Sequence, residues 1–178
     1  MSTQNERRIH DSGFTLFDTV LDKISETVGN QPVESGGALL GDFASGIISD
    51  FLFDNDAETT ATSYVPSRKL AARVTSIENV NRLQFKGVLH SHPGNYDVPS
   101  GPDRNSFAVG LRANPSLVRY LAPIVTFYPG PPSPNKIALP GGGWISFYVA
   151  TRRKDEKVRV SPTMPKIIYF ARDVRNLA

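Results

Sequence analysis

Apolar residues recur at Phe17, Val20, Leu21, Ile24 and Val28. This is the i, i+3, i+4, i+7 spacing that lays one stripe along an amphipathic helix, and it predicts a helix over residues 14–28. Thr15 and Asp18 stand at capping-box spacing ahead of it, and Gly29-Asn30 supplies a stop. The period then shortens. Residues 36–43 and 46–53 are short apolar runs joined by a turn at Ala44-Ser45-Gly46, too tight for anything but antiparallel pairing. Residues 54–62 turn polar and acidic, the composition of an exposed loop. Residues 70–83 fit two periods: Leu70, Val74 and Ile77 make a helical face, while residues 73–77 could open a strand.

Residues 85–92 alternate as a buried strand that ends at Pro93. On such a strand Val88, His90 and His92 share one face, because the side-chain period is two. A short helix is predicted over 102–112 with Phe107 and Leu111 inward, then a strand over 121–128 and a Pro/Gly-rich loop over 129–134. A strand follows at 144–150, with 157–160 as its partner and 166–170 as a last strand. This order predicts an α/β sandwich whose mixed sheet lies between helices.

Length and composition narrow the class. At 178 residues and 39% hydrophobic content the chain suits one domain with a sizeable core, expected over 13–178 behind a polar leader at 1–12. The leader lacks an apolar core, so no secretory signal is expected, and its His10 is read as exposed and idle. No apolar run approaches the roughly 18 residues of a membrane helix, so a cytoplasmic protein is expected. With no cysteine, disulfides, cysteine-ligated zinc and thiol catalysis are excluded. Net charge is only +3, and the one dense basic cluster, Arg152-Arg153-Lys154, runs straight into Asp155-Glu156. That reads as a solvated hairpin tip, and such dispersed basicity argues against a nucleic-acid partner.

Candidate chemistry lies in H-S-H-P-G-N-Y-D-V-P-S-G-P-D, residues 90–103, which holds two of the three histidines. Shuffled chains of this composition would contain H-x-H-x7-S-x2-D on the order of once in several thousand. His90, His92 and Asp103 supply three ligands for a tetrahedral zinc with its fourth corner open to water, as catalytic rather than structural sites require. Ser100-Gly101-Pro102-Asp103 also reads as a helix capping box. Both readings can hold, since a cap would make the Asp103 ligand rigid. Zinc acidifies its water, and a further group must take that proton and deliver it to a leaving amine. Among six glutamates, Glu34 in the Gly-rich, apolar segment V-E-S-G-G-A-L-L-G is favoured by elimination, which leaves its geometry open. Ser100 has a hydroxyl suited to an oxyanion, and no third histidine is placed to make it a nucleophile. Ser91 points away from the ligands and is read as structural.

Glu34, the run His90–Pro93, Ser100 and Asp103 together resemble the JAMM (MPN+, JAB/Mov34) metalloprotease motif, E…H-[ST]-H-x7-S-x2-D. The resemblance spans roughly residues 14–150 in element order. It implies a cytidine-deaminase-like three-layer α/β sandwich, zinc on His90, His92 and Asp103, Glu34 as acid/base and Ser100 as oxyanion support. It further implies hydrolysis of a peptide or isopeptide bond after the C-terminal glycine of a ubiquitin-like protein. The stand-alone form is similar to prokaryotic JAB peptidases that work beside E1-like and E2-like proteins, including in anti-phage operons of the Bil and CBASS kind. Two other readings stay open: a non-catalytic MPN-type scaffold, of the sort that lacks metal ligands, and a zinc hydrolase of small amides or a DNA-repair-associated relative.

Overall fold

The strand that carries the histidines lies inside a mixed sheet. In the computed structural model, which describes residues 10–31, 33–43, 45–153 and 157–170, β1 (His10–Phe17) leads into α1 (Asp18–Thr27) and a 3-10 turn. A hairpin of β2 (Gly36–Asp42) and β3 (Ile47–Phe53) is followed by a small one of β4 (Glu58–Thr60) and β5 (Ser63–Val65). Next come α2 (Arg68–Asn81), β6 (Leu83–Ser91) and α3 (Gly101–Ala113). The remaining described strands are β7 (Arg119–Leu121), β8 (Ile124–Thr126), β9 (Lys136–Ala138), β10 (Trp144–Ser146), β11 (Tyr148–Arg152) and β12 (Val158–Ile168).

The sheet runs β2-β3-β1-β12-β11-β7-β6-β8-β10-β9, and a further pairing of β2 with β6 curls it back on itself. β6 is antiparallel to β2 on one side and parallel to β7 and β8 on the other. Alternation sends its side chains, and those of β2, to opposite layers. Leu39 and Leu89 join the core under α1, with Val20, Leu21, Ile24 and Val28. Ala38 and Leu40 pack instead against Leu70 and Val74 of α2, while Phe107 and Leu111 of α3 pack with Tyr120, Ile124 and Tyr148. The result is the expected α/β arrangement, with α1 on one face of the sheet and α2 and α3 on the other.

Several boundaries differ from the sequence expectation. The first helix begins at Asp18, not at residue 14, and its N-cap is Phe17 with no side-chain cap, so Thr15 caps nothing. Residues 14–17 alternate as well as they spiral: Phe14 and Leu16 are buried, and the segment pairs in parallel with both β12 and β3. Of the polar leader, residues 1–9 lie outside the described residues, and His10 opens β1. The ambiguous stretch is helix α2, capped by Ser67, whose hydroxyl accepts from Leu70 N. The acidic loop after β3 is not uniformly exposed: Asp54 is buried, accepting hydrogen bonds from Ser67 N and Oγ and from Asp56 N. The strand expected at 144–150 is two, β10 and β11, with different partners. At the basic cluster, Arg152 is more than solvated, because its guanidinium donates to the carbonyls of Leu111, Asn114 and Pro115 at the end of α3. Lys154, Asp155 and Glu156 lie outside the described residues.

Candidate metal centre

His90 and His92 are fixed by backbone bonds on both sides of β6. His90 is paired with Gly36 of β2 and with Ile124 of β8. His90 N donates to Pro123 O at 3.3 Å, and His92 N donates to Val125 O at 2.8 Å. Asp103 comes from a different segment and is held by the expected capping box: Ser100 Oγ accepts from Asp103 N at 3.2 Å, and Asp103 Oδ2 accepts from Ser100 N at 2.6 Å. The first turn of α3 therefore presents its carboxylate as a fixed group.

The three side chains converge. The two imidazole Nε2 atoms stand 2.8 Å apart. Asp103 Oδ1 is 3.1 Å from His90 Nε2, and Oδ2 is 3.2 Å from His92 Nε2. Metal–ligand bonds of about 2.0–2.1 Å in a tetrahedron put the ligand atoms about 3.3 Å apart, so an outward adjustment of a few tenths of an ångström would seat an ion. His92 Nδ1 lies 2.9 Å from Tyr96 O, an acceptor that fixes the tautomer with its lone pair on Nε2, toward the cluster. Both histidines are buried. Burial pushes His90 below the ordinary imidazole value. At His92 burial pushes the same way but is outweighed by the hydrogen bond and charge of Asp103, and the net shift is upward. Burial would raise Asp103 too, yet the hydrogen bonds from the two histidines hold its carboxyl well below the usual range. Among the described residues this is the one group of three such side chains able to share a metal ion.

Glu34 stands beside the cluster. Burial raises its carboxyl above the ordinary value, opposed by the charge of His92 and assisted by that of Asp103, so it lies within electrostatic reach of both ligands. Its own segment is pinned from two directions. Glu34 N donates to Thr60 O at 3.1 Å, and Ser35 N donates to Ser91 Oγ at 3.0 Å, with Ser91 N returning a bond to Ser35 O at 2.8 Å. Ser91, fully buried on the face away from the ligands, thus ties the glutamate segment to the end of β6. Of the other glutamates, Glu26 and Glu58 are exposed and Glu78 accepts from Phe85 N, whereas Glu6 and Glu156 lie outside the described residues. Ser100 is brought to the cluster, with its hydroxyl donating to Asp103 Oδ2 at 2.6 Å.

Three contributors carry no motif signal in the sequence. Tyr64 of β5 lies parallel to the His90 ring, with centroids 6.2 Å apart. The Tyr96 ring lies over His92 at 5.5 Å. A cavity of about 530 Å³ opens beside the ligands and is walled by Tyr64, Val88, His90, Asp103, Phe107 and Val109. Among these walls Val88, His90 and Phe107 were placed on the right faces by periodicity; nothing local marks a tyrosine in a polar hairpin.

The sequence model of a family described as prokaryotic homologs of the JAB domain matches residues 18–139. In structure, the chain is similar to a protein of Desulfitobacterium hafniense known from a solution structure, with a TM-score of 0.60 and 16% identity over 92% of this chain and 97% of that one. It also aligns with a JAB1/MPN domain protein of Archaeoglobus fulgidus at a TM-score of 0.46 and 18% identity, over 88% of this chain and 99% of the other. No curated protein matches the chain.

Proposed function

The chain belongs to the prokaryotic JAB-domain family, and from that membership we propose that it is a zinc-dependent isopeptidase that cuts after the C-terminal glycine of a ubiquitin-like modifier, to release the modifier from a target or to mature its precursor. The observation that supports this most directly is the convergence of His90, His92 and Asp103 to within 2.8–3.2 Å of one another, with the raised-pKa Glu34 in electrostatic contact. Two neutral imidazoles and one carboxylate suit a catalytic zinc. Zinc held there would acidify a water and polarise the scissile carbonyl.

The rest of the reaction falls to the chain's own groups. Glu34 takes the water proton and hands it to the leaving amine, a task that a carboxylate made more basic by burial performs better than an exposed one. Ser100 is proposed to donate to the developing oxyanion. Its hydroxyl points at Asp103 Oδ2 in this structure, so the role requires that hydroxyl to rotate toward substrate. The cavity beside the ligands, with more apolar than polar walls, offers room for the residues preceding the scissile glycine. E1-like and E2-like proteins of the same conjugation system are the proposed partners, with defence against phage as the proposed setting and the cytoplasm as the compartment. No helix among the described residues is long and apolar enough to cross a membrane.

Metal analysis of the purified chain should find about one zinc per molecule, and a fusion ending in a ubiquitin-like glycine should be cut in a chelator-sensitive way. Glu34→Gln should keep the metal and lose about a thousandfold or more in kcat. Undiminished cleavage by that variant removes Glu34 from the mechanism. Full zinc content without cleavage of any such fusion favours the scaffold reading.

A further inference from the structure

The loop between the second histidine and the capping serine is anchored from outside the ligand set, by a lysine that the reaction does not use. Lys136 opens β9, and its side chain is 3% exposed. An ammonium carries three N–H donors and is costly to bury unless all are met. Here they are met by the Asp97 carboxylate and by the carbonyls of Pro129 at 2.7 Å and Pro131 at 3.0 Å. Ser146 Oγ donates to the same carboxylate at 3.3 Å, and Asp97 is gripped at its backbone end as well, since its carbonyl accepts from Tyr148 Oη at 2.7 Å. The proline-rich loop is itself tied down by Asn135, which is buried and donates to Phe147 O at 2.9 Å.

Asp97 is held in this way at a consequential point. Its peptide nitrogen and the carbonyl of Tyr96 belong to one planar unit, so fixing Asp97 fixes the direction of the Tyr96 carbonyl. That carbonyl is the partner of His92 Nδ1. We propose that Lys136 and Asp97 are positioning residues for the metal centre, a buried clamp that orients the His92 imidazole through the Tyr96 carbonyl. The inference rests on the metal-binding reading of His90, His92 and Asp103, and it adds that affinity for the ion is set in part from the far side of the proline-rich loop. Outer partners of ligating histidines typically change metal affinity by about 10–100-fold when removed.

The test uses the full chain, stripped with chelator and titrated with cobalt(II), read by its visible d–d absorption and by competition with a chromophoric chelator. Lys136→Met should weaken cobalt binding about tenfold or more and alter the d–d bands. Lys136→Arg, which keeps charge and donors, should recover most of the affinity. Val74→Ala, a cavity variant in the α2 core away from the ligands, serves as the control for general loss of stability. Cobalt affinity of Lys136→Met within twofold of wild type overturns the clamp, as does an equal loss in Val74→Ala. Should Lys136→Met fail to fold, Tyr148→Phe, which removes the hydroxyl on the Asp97 carbonyl, carries the same test: weakened cobalt binding supports the clamp and unchanged binding overturns it. A wild-type chain that takes up no cobalt refutes the metal reading itself, whereas normal uptake that no variant disturbs removes only the clamp.

Discussion

Replacing Ser91 with alanine removes one oxygen at a fully buried position and asks how much of the site depends on the face of β6 turned away from the ligands. In the native chain that oxygen accepts the Ser35 N–H at 3.0 Å, and it is 3.4 Å from the Ser35 carbonyl as a donor. The alanine leaves a buried backbone N–H without its acceptor, and the vacated space is smaller than a water molecule needs. An orphaned buried donor costs about 1–3 kcal/mol, and a domain of this size loses about 2–4 °C per kcal/mol, so thermal unfolding with chelator present should fall by roughly 3–10 °C. The functional effect is separate. Glu34 immediately precedes the released residue, and misplacing a catalytic group by about an ångström costs about a hundredfold; kcat should therefore drop at least about tenfold, with metal stoichiometry and KM unchanged. Unfolding within 1 °C of wild type together with unchanged kcat would show that the Ser35–Ser91 exchange neither stabilises the fold nor places the glutamate.

Gly36→Ala should be destabilising by about 1–3 kcal/mol, because an added Cβ would lie 2.3 Å from Leu89 O and 2.8 Å from the Tyr64 ring that stacks on His90; a urea midpoint equal to wild type would contradict the packing described. Burial raises the Glu34 carboxyl, so the fold favours its protonated form. The sign follows from linkage: this contribution to stability is fully present below the ordinary carboxylate value of about 4.3 and is lost as pH rises through the higher folded value. Glu34→Gln, permanently neutral, escapes the loss, so in chelator its melting temperature should gain on wild type as pH is raised from about 4 toward neutrality. A flat difference over that range would place Glu34 in a solvated setting, and a shrinking one would show that the charge of His92 outweighs burial.

How far the sequence could be read followed from how local each determinant is. The H-x-H spacing on a strand and the S-x-x-D spacing on a helix start are both set within one turn or pleat, and each side chain took the direction its period required. Periodicity went astray where tertiary pairing competes with local preference. Phe14, Leu16 and Phe17 satisfy two periods at once, and the chain resolves them as a strand because β3 and β12 flank it in parallel, the latter more than a hundred positions downstream. Asp54 looked like the start of a solvated loop. It is instead the acceptor at the base of that loop, binding the N-cap serine of α2, and no residue count could reveal that.

The same division separates chemistry from selectivity in this site. Three donors from two short segments are brought together by backbone bonds to Pro123 and Val125 and by one helix cap. The walls of the adjacent cavity come from β5, α3 and the outer face of β6, elements that meet only in the folded chain. A substitution at Tyr64 or Val109 should therefore alter which extended peptide is accepted while leaving the donor geometry intact. Substitutions at Ser91, Gly36 or Lys136 should disturb the reacting centre without touching substrate. On the proposed function, residues outside the motif fall into two groups, one lining the cavity that would take the peptide and one holding the metal-binding side chains in place.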